Sequence, residues 1–464
     1  MFSINPIYPK LVTGGASKHL HNIAGQLGRL GHSVTVLCTR AKGSSEPFLW
    51  QEGVWVEPSL TFKQPFPDPY AISAGDLAFI CDSISKHLND SDRFYMHDGE
   101  LLLPFLHSDI PTIISYRDNV YPESILGSFI SGGDQIIAVP NYSADVIRFS
   151  VGRIFPQINN RIQVIPNGID FDLFHPTDTN SLLKVIPVDP SQDAIILHPH
   201  RPEEGKGLMQ TLKVSEILVK KYGVENLKVL VPEWIPEMAS NTEKIFYEQF
   251  QDYLSQMKMS DHFIFHSWLP QSMMPAYYSL GRVTLCLGTL VEAFGNVAYE
   301  SLACGTPSIV AKVGVHRSML PDNLIYKVDY DDADTSALIT LNILKSNEKY
   351  TDERIELIKP FFDLDVQMTQ YNNLIIHCKK MQPSDFDPIL VERNTEFVLA
   401  PWCYLGKNGI YHDFRSQYCQ DPLLIKLVKE NKIAIKLEDV NSLGGNWEHL
   451  YSWYRDTYLV PLPN

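Results

Sequence analysis

Along the chain, short runs of consecutive apolar and often β-branched residues alternate with longer stretches in which apolar residues return every three or four positions. The first pattern predicts strands buried on both faces, and the second predicts amphipathic helices laid across them. A short first strand is expected at Phe2-Ser3-Ile4, followed by strands over 33–38, 93–96, 112–115, 135–139 and 161–165. Between Ser17 and Leu30, the residues His19, Leu20, Ile23, Ala24, Leu27 and Leu30 share one face, and Gly31 stops the helix. A Pro/Asn/Asp-rich connection from Pro166 to about Pro190 interrupts the rhythm, which restarts with strands over 194–198, 228–231, 262–266, 283–287 and 308–310. A helix is expected over 366–381. This alternation predicts an α/β protein of two consecutive doubly wound units. In such sheets ligands sit beyond the carboxyl ends of the strands, so the expected site is a cleft between two lobes.

Composition narrows the partners. Among 464 residues, 54 acidic side chains outnumber 39 basic ones and leave a formal charge of −15. That balance opposes binding to the phosphate backbone of nucleic acid, and no run of Lys and Arg offsets it. The start Met1-Phe2-Ser3-Ile4-Asn5-Pro6 has no basic stretch leading into an apolar one, and no segment approaches a membrane-spanning run, so a cytoplasmic or peripheral protein without a transmembrane segment is expected. Seven scattered cysteines without CxxC spacing suggest buried thiols rather than disulfides or zinc. Residues 384–464 hold twelve aromatics, among them Trp402, Trp447 and Trp453, so this region is expected to fold rather than trail.

The segment Leu290 to Pro307, with Glu292 and Glu300 eight positions apart, carries the clearest chemistry. The strand over 283–287 ends at Gly288, which puts Glu292 and Gly295 on the following loop, while Val297 to Cys304 reads as a helix closed by Gly305 and stopped by Pro307. That loop delivers a helix N-terminus, whose free amides and dipole suit a phosphate or a sugar hydroxyl. One turn into the helix, the two carboxylate oxygens of Glu300 can accept from vicinal hydroxyls such as those of a ribose. Two isolated glutamates at this spacing would ordinarily be solvated helix-end charges; the Gly-Asn and Ala-Cys-Gly-Thr-Pro surroundings set this pair apart.

Three further stretches join it in order: Gly14-Gly15-Ala16-Ser17-Lys18-His19 with Leu30-Gly31-His32-Ser33-Val34, then Ile165-Pro166-Asn167-Gly168-Ile169-Asp170 to Phe174, then Arg201 to Gly207. On these residues the sequence resembles the retaining nucleotide-sugar glycosyltransferases of family four, through about residues 1 to 381. The resemblance implies the GT-B fold, two Rossmann-like lobes facing across a cleft, with an aromatic-rich C-terminal extension. It implies an acceptor lobe over 1–175, a donor-binding lobe over 176–365 and a helix over 366–383 returning towards the first lobe; the extension over 384–464 lies beyond the resemblance, and its aromatic content leads to the expectation that it covers the acceptor mouth or mediates a homodimer.

The same resemblance assigns roles. Arg201 and Lys206 hold the donor diphosphate, where a planar guanidinium grips oxygens bidentately and an ammonium adds a point charge. The loop at Gly14 and Gly15 passes close to the donor phosphate. Glu292, with Ala293, Phe294, Gly295, Asn296 and Val297, fixes the sugar; Glu300 holds the ribose; His97, at a strand end, faces acceptor or sugar. The implied reaction moves a sugar from a nucleotide diphosphate-sugar, UDP-sugars favoured, to an acceptor; the acidic net charge makes a soluble one, such as a sugar, sugar phosphate or small natural product, the expectation. No cofactor and no metal are expected, and Asp170-Phe171-Asp172 reads as a turn rather than a cation site. Departures from the family pattern are Tyr116-Arg117-Asp118 in place of a strand-end histidine, His200 in place of a glycine, Pro232-Glu233-Trp234 in place of a glycine-rich turn, and Ser267 and Val315 in place of glycines. They keep two alternatives open: a degenerate donor-binding or scaffold subunit, and a sugar-nucleotide phosphorylase or hydrolase on the same fold.

Overall fold

The computed structural model describes residues 1–9, 14–41, 46–64, 68–118, 120–130, 132–233, 241–346, 349–430 and 433–462. The chain divides into two compact units, the first made of Met1–Asn167, Asp365–Pro401 and Lys426–Asn464, the second of Gly168–Leu364 and Trp402–Ile425. The C-terminal stretch after 383 is therefore not a body of its own. Residues 402–425 belong with the second unit, and the segments on either side belong with the first.

Unit 1 is built on β1 (Phe2–Ser3), β2 (Val34–Thr39), β3 (Phe48–Gln51), β4 (Val54–Leu60), β5 (Phe94–His97), β6 (Thr112–Tyr116), β7 (Gln135–Ala138) and β8 (Ile162–Val164). They form one sheet in the order β3-β4-β2-β1-β5-β6-β7-β8. All pairs are parallel except β3–β4. The exception is a hairpin closed by Glu52-Gly53, with Gly53 at φ +72° as a tight two-residue loop requires. β5 and β6 are buried along their whole length, which is why their sequences read as continuous apolar runs. The core gathers Phe2, Leu37, Ile84, Met96, Ile114 and Ala138 from the strands and the helices over them.

The first helix spans Gly14–Arg29. The apolar pattern starts it at Ser17, with Gly14 and Gly15 in a loop before it; in the structure they are its first two positions. Glycine adopts helical angles at a cost of about 1 kcal/mol relative to alanine, and a terminal turn is where that cost interrupts the fewest hydrogen bonds.

Unit 2 carries β9 (Ala194–Leu197), β10 (Leu227–Pro232), β11 (Phe263–His266), β12 (Val283–Cys286), β13 (Ser308–Ala311) and β14 (Tyr326–Val328). The sheet is fully parallel, in the order β11-β10-β9-β12-β13-β14. The order reverses between β9 and β12, so the loops leaving the carboxyl ends of these two neighbours diverge from one crevice. Leu208, Leu212 and Leu218 of the helix Leu208–Lys220 pack on Ile196, Val229 and Leu285 of the sheet.

The remaining strands are antiparallel. β15 (Phe397–Leu399) pairs with β19 (Leu459–Pro461) in unit 1. In unit 2, β16 (Cys403–Gly406), β17 (Gly409–His412) and β18 (Gln417–Cys419) form a small meander.

Candidate functional site

In unit 2 the chemistry collects at the sheet reversal. The loop after β9 ends at Gly207, whose φ of +84° excludes most side chains and where an added Cβ would stand 2.5 Å from the Gly288 amide nitrogen. The loop after β12 runs against it backbone to backbone: Gly205 O accepts from the amides of Thr289 and Leu290, both at 3.0 Å. This seam brings Lys206 of one loop to Glu292 of the other, with Nζ 2.6 Å from Oε1, across 86 positions of sequence.

Burial pushes the Glu292 carboxyl up, yet Lys206, with His200 and His316 beyond it, holds it down to about 2. His200 and His316 are themselves buried, and desolvation drives both imidazoles down to about 4. At neutral pH the site thus presents an ionised Glu292 carboxylate and two uncharged imidazoles. His316 Nδ1 lies 2.9 Å from the Tyr299 hydroxyl. Its ring faces Gly295, where an added Cβ would fall 2.8 Å from His316 Nε2 and 3.1 Å from Glu292 Oε2. Gly295, at φ +74°, is also the cap of the helix Asn296–Ala303, so that helix begins four residues after Glu292.

Of the other sequence-named residues, Ala293 and Phe294 are buried, and the Phe294 ring packs on Tyr299 and Phe362 at 5.2 and 5.5 Å. Their side chains serve the core. Asn296 and Val297 open the helix and are half-buried. Glu300 Oε2 accepts from the Tyr278 hydroxyl at 3.1 Å; burial first, then the carboxylate itself, raises that hydroxyl well above its ordinary range, so it stays a donor. Arg201 pairs through Nε with Glu203 Oε1 at 2.9 Å, and its side chain is 44% exposed. Val315 is fully buried, Pro232 closes β10, Ser267 is exposed just past β11, and Trp234 lies outside the described residues.

Unit 1 holds a second cluster. His97, at the carboxyl end of β5, is 1% exposed. Its Nε2 donates to Ala16 O at 3.1 Å, which leaves Nδ1 to accept from the Tyr95 hydroxyl at 3.0 Å. Burial, then the Arg117 charge, puts its pKa well below 6.5, so it is neutral. Arg117 is the hub: Nη1 donates to His19 Nδ1 at 2.9 Å, Nη2 to Asn167 Oδ1 at 3.1 Å, and Nε stands 3.9 Å from Asp98 Oδ1. The Gln367 amide also donates to Asn167 Oδ1, at 3.1 Å. Asp98 adopts φ +68°, and its carboxyl is raised by burial, against the pull of Arg117, to about 6. Glu100 and Asp118 rise for the same first reason, with neighbouring carboxylates adding to it.

Sequence reasoning missed His19, Asn167, Gln367, Tyr278, Tyr299 and His316 as members of these clusters. His316 carried a weak signal, since it follows Val315, itself a departure from the family pattern. Tyr299 stands beside Glu300, and His19 and Asn167 lie in the quoted stretches, but no local spacing shows their partners; Tyr278 and Gln367 carried no motif signal.

Comparison with known proteins yields two sequence-family matches: Glycosyltransferase Family 4 over residues 13–173 and Glycosyl transferases group 1 over residues 183–355. A D-inositol 3-phosphate glycosyltransferase of Acidothermus cellulolyticus is 28% identical over 33% of this chain, and the match spans 34% of that relative. The protein of the same description from Segniliparus rotundus is 22% identical over 65% of this chain and 70% of its own. Among solved structures, Anabaena HepE, in complex with UDP and glucose, superposes with a TM-score of 0.65 at 17% identity, covering 81% of this chain and 98% of HepE. The consecutive family matches and the shared two-unit architecture place the chain among the family-four-like glycosyltransferases of the GT-B fold.

Proposed function

We propose that the protein transfers a sugar from a nucleotide diphosphate-sugar, UDP-linked, to a soluble hydroxyl-bearing acceptor such as a sugar or sugar phosphate, with retention at the anomeric carbon. The observation that carries this reading is the Lys206–Glu292 pair, fixed at 2.6 Å by two glycine loops at the switch point of the unit 2 sheet, directly before a helix N-terminus. A leaving diphosphate gains negative charge as the glycosidic bond breaks. Cationic groups and amides fixed beforehand stabilise that charge more in the transition state than in the ground state.

In this reading Lys206 and Arg201 take the diphosphate, and the cationic role falls to them rather than to a metal. Glu292 and the amides at the start of the helix Asn296–Ala303 orient the sugar. Glu300, aligned by Tyr278, takes the ribose hydroxyls. The leaving phosphate oxygen accepts the acceptor proton on the face from which it departs. HepE has been solved with UDP and with UDP-glucose, which supports a uridine donor.

Calorimetric titration of UDP into the wild type, Glu300→Ala and Arg201→Ala, followed by NMR assignment of the product anomer, tests the reading. Each substitution is expected to weaken UDP binding at least tenfold, and the product to keep the donor's anomeric configuration. Equal affinities would remove the assigned roles, and an inverted product would remove the mechanism.

A further inference from the structure

The residue next to His316 is held from a distant part of the chain. Arg317 donates Nη1 and Nη2 to Asp413 Oδ1 and Oδ2, both at 2.8 Å, in a two-pronged fork. The Asp413 side chain is fully buried and that of Arg317 is 15% exposed. Asp413 follows β17, and its amide donates to Trp402 O at 2.9 Å, which ties it to the start of the meander. The fork is further enclosed: Arg317 lies over the Tyr404 ring at 5.5 Å and donates from Nη1 to Lys312 O at 3.2 Å, while Lys327 Nζ donates to Arg317 O at 2.9 Å.

Arg317 and His316 share one short turn, Gly314–Arg317, in which a shift of one residue moves the other. The far side of that turn is His316, braced by Tyr299 and set against Gly295 and Glu292. The meander touches unit 2 by a second, separate route. The Tyr330 amide donates to the Tyr404 hydroxyl at 2.9 Å, the Tyr418 hydroxyl donates to Tyr330 O at 3.0 Å, and the Lys407 amide donates to Asp329 Oδ2 at 2.6 Å. Both family matches end before residue 402, so this meander lies outside the residues they match.

We propose that Asp413 is a positioning residue for the donor site: through Arg317 it fixes the turn that holds His316 over Gly295 beside Glu292. The C-terminal meander 402–425 is then a working part of unit 2, and its role deepens the reading under which that site takes the donor. A fork of two charge-assisted hydrogen bonds sets orientation as well as distance, which a single bond or a lysine would not. Losing it lets the turn shift while the sheet stays whole.

The test uses the full chain and three variants: Asp413→Asn, Arg317→Lys and, as control, Tyr418→Phe, which removes the Tyr418 hydroxyl's bonds to Tyr330 O and the Tyr404 hydroxyl while both partners of the Arg317–Asp413 fork stay in place. Two readouts are taken: the NMR chemical shifts and titration of the His316 ring, and UDP affinity by calorimetry. Asp413→Asn and Arg317→Lys are expected to move the His316 signals and to weaken UDP binding about tenfold, the loss of about one charge-assisted hydrogen bond to the ligand. Tyr418→Phe should lower the melting temperature and leave both readouts unchanged. Unchanged His316 signals in Asp413→Asn, or an equal loss of UDP binding in Tyr418→Phe, would overturn the proposal. Absence of UDP binding in the wild type would instead refute the donor reading, with the His316 signals still reporting on the fork.

Discussion

Breaking the Lys206–Glu292 pair gives a measurable magnitude. The carboxyl of Glu292 is held at about 2 instead of 4.5, and a difference of about 2.5 units corresponds to roughly 3 kcal/mol of stability at neutral pH. The two side chains are only 17% and 20% exposed, so solvent screens this little. The sign follows from the depressed value: the contribution is fully present above 4.5 and is lost as the pH falls towards 2. Lys206→Met leaves a carboxylate among uncharged groups, and at pH 7 unit 2 should lose about 3 kcal/mol. Glu292→Gln alone should cost about 1–2 kcal/mol, because the freed ammonium can reach water along a flexible stem. The double variant Lys206→Met/Glu292→Gln should recover much of the sum, giving a coupling energy of about 2 kcal/mol. Since a two-unit chain need not unfold in one step, the assay is native-state hydrogen exchange of the β9 and β12 amides. Additive losses, with a coupling below about 0.5 kcal/mol, would refute the account of the site's electrostatics.

Three further outcomes are expected. Gly295→Ala meets both a left-handed backbone and the His316 ring, and should cost about 2–4 kcal/mol by thermal or chemical denaturation. The buried imidazoles of His200 and His316, lowered from 6.5 to about 4, bind protons in the unfolded chain but not in the native one over that interval. Stability should therefore fall as the pH drops from 6.5 to 4, by about 2 kcal/mol per ring at pH 5, and His200→Gln should make that loss smaller in denaturation series across pH. Arg117→Met strands the buried Asp98 and should cost about 3–5 kcal/mol, whereas Arg201→Ala, at an exposed side chain, should change stability by less than about 0.5 kcal/mol; melting temperatures compare the two.

The parallel strands were legible because burial on both faces writes them as apolar runs, as in Phe94–His97 and Val283–Cys286. β4 was missed for the opposite reason: it alternates, with Trp55 half exposed, next to the short antiparallel edge strand β3. The Glu52-Gly53 turn ahead of it was the available signal. β14 is three residues long and only its last is buried, too little pattern to read. In the site, resemblance named Lys206 and Glu292 separately, but their contact depends on the seam between Gly205, Gly207 and Gly288, which no local spacing encodes. The Arg117 hub draws on positions 19, 98 and 167, and the fork joins 317 to 413; such pairings are products of topology and become visible only once the chain is folded.

The interleaving of the chain between its units also sets an order of completion. Unit 1 is begun by Phe2 in β1 and closed by Leu459–Pro461 in β19, which pairs with Phe397–Leu399. During synthesis unit 2 has its last segment, Trp402–Ile425, before residues 426–464 of unit 1 have emerged. A stop within 426–464 would thus leave unit 1 open after unit 2 had all its segments.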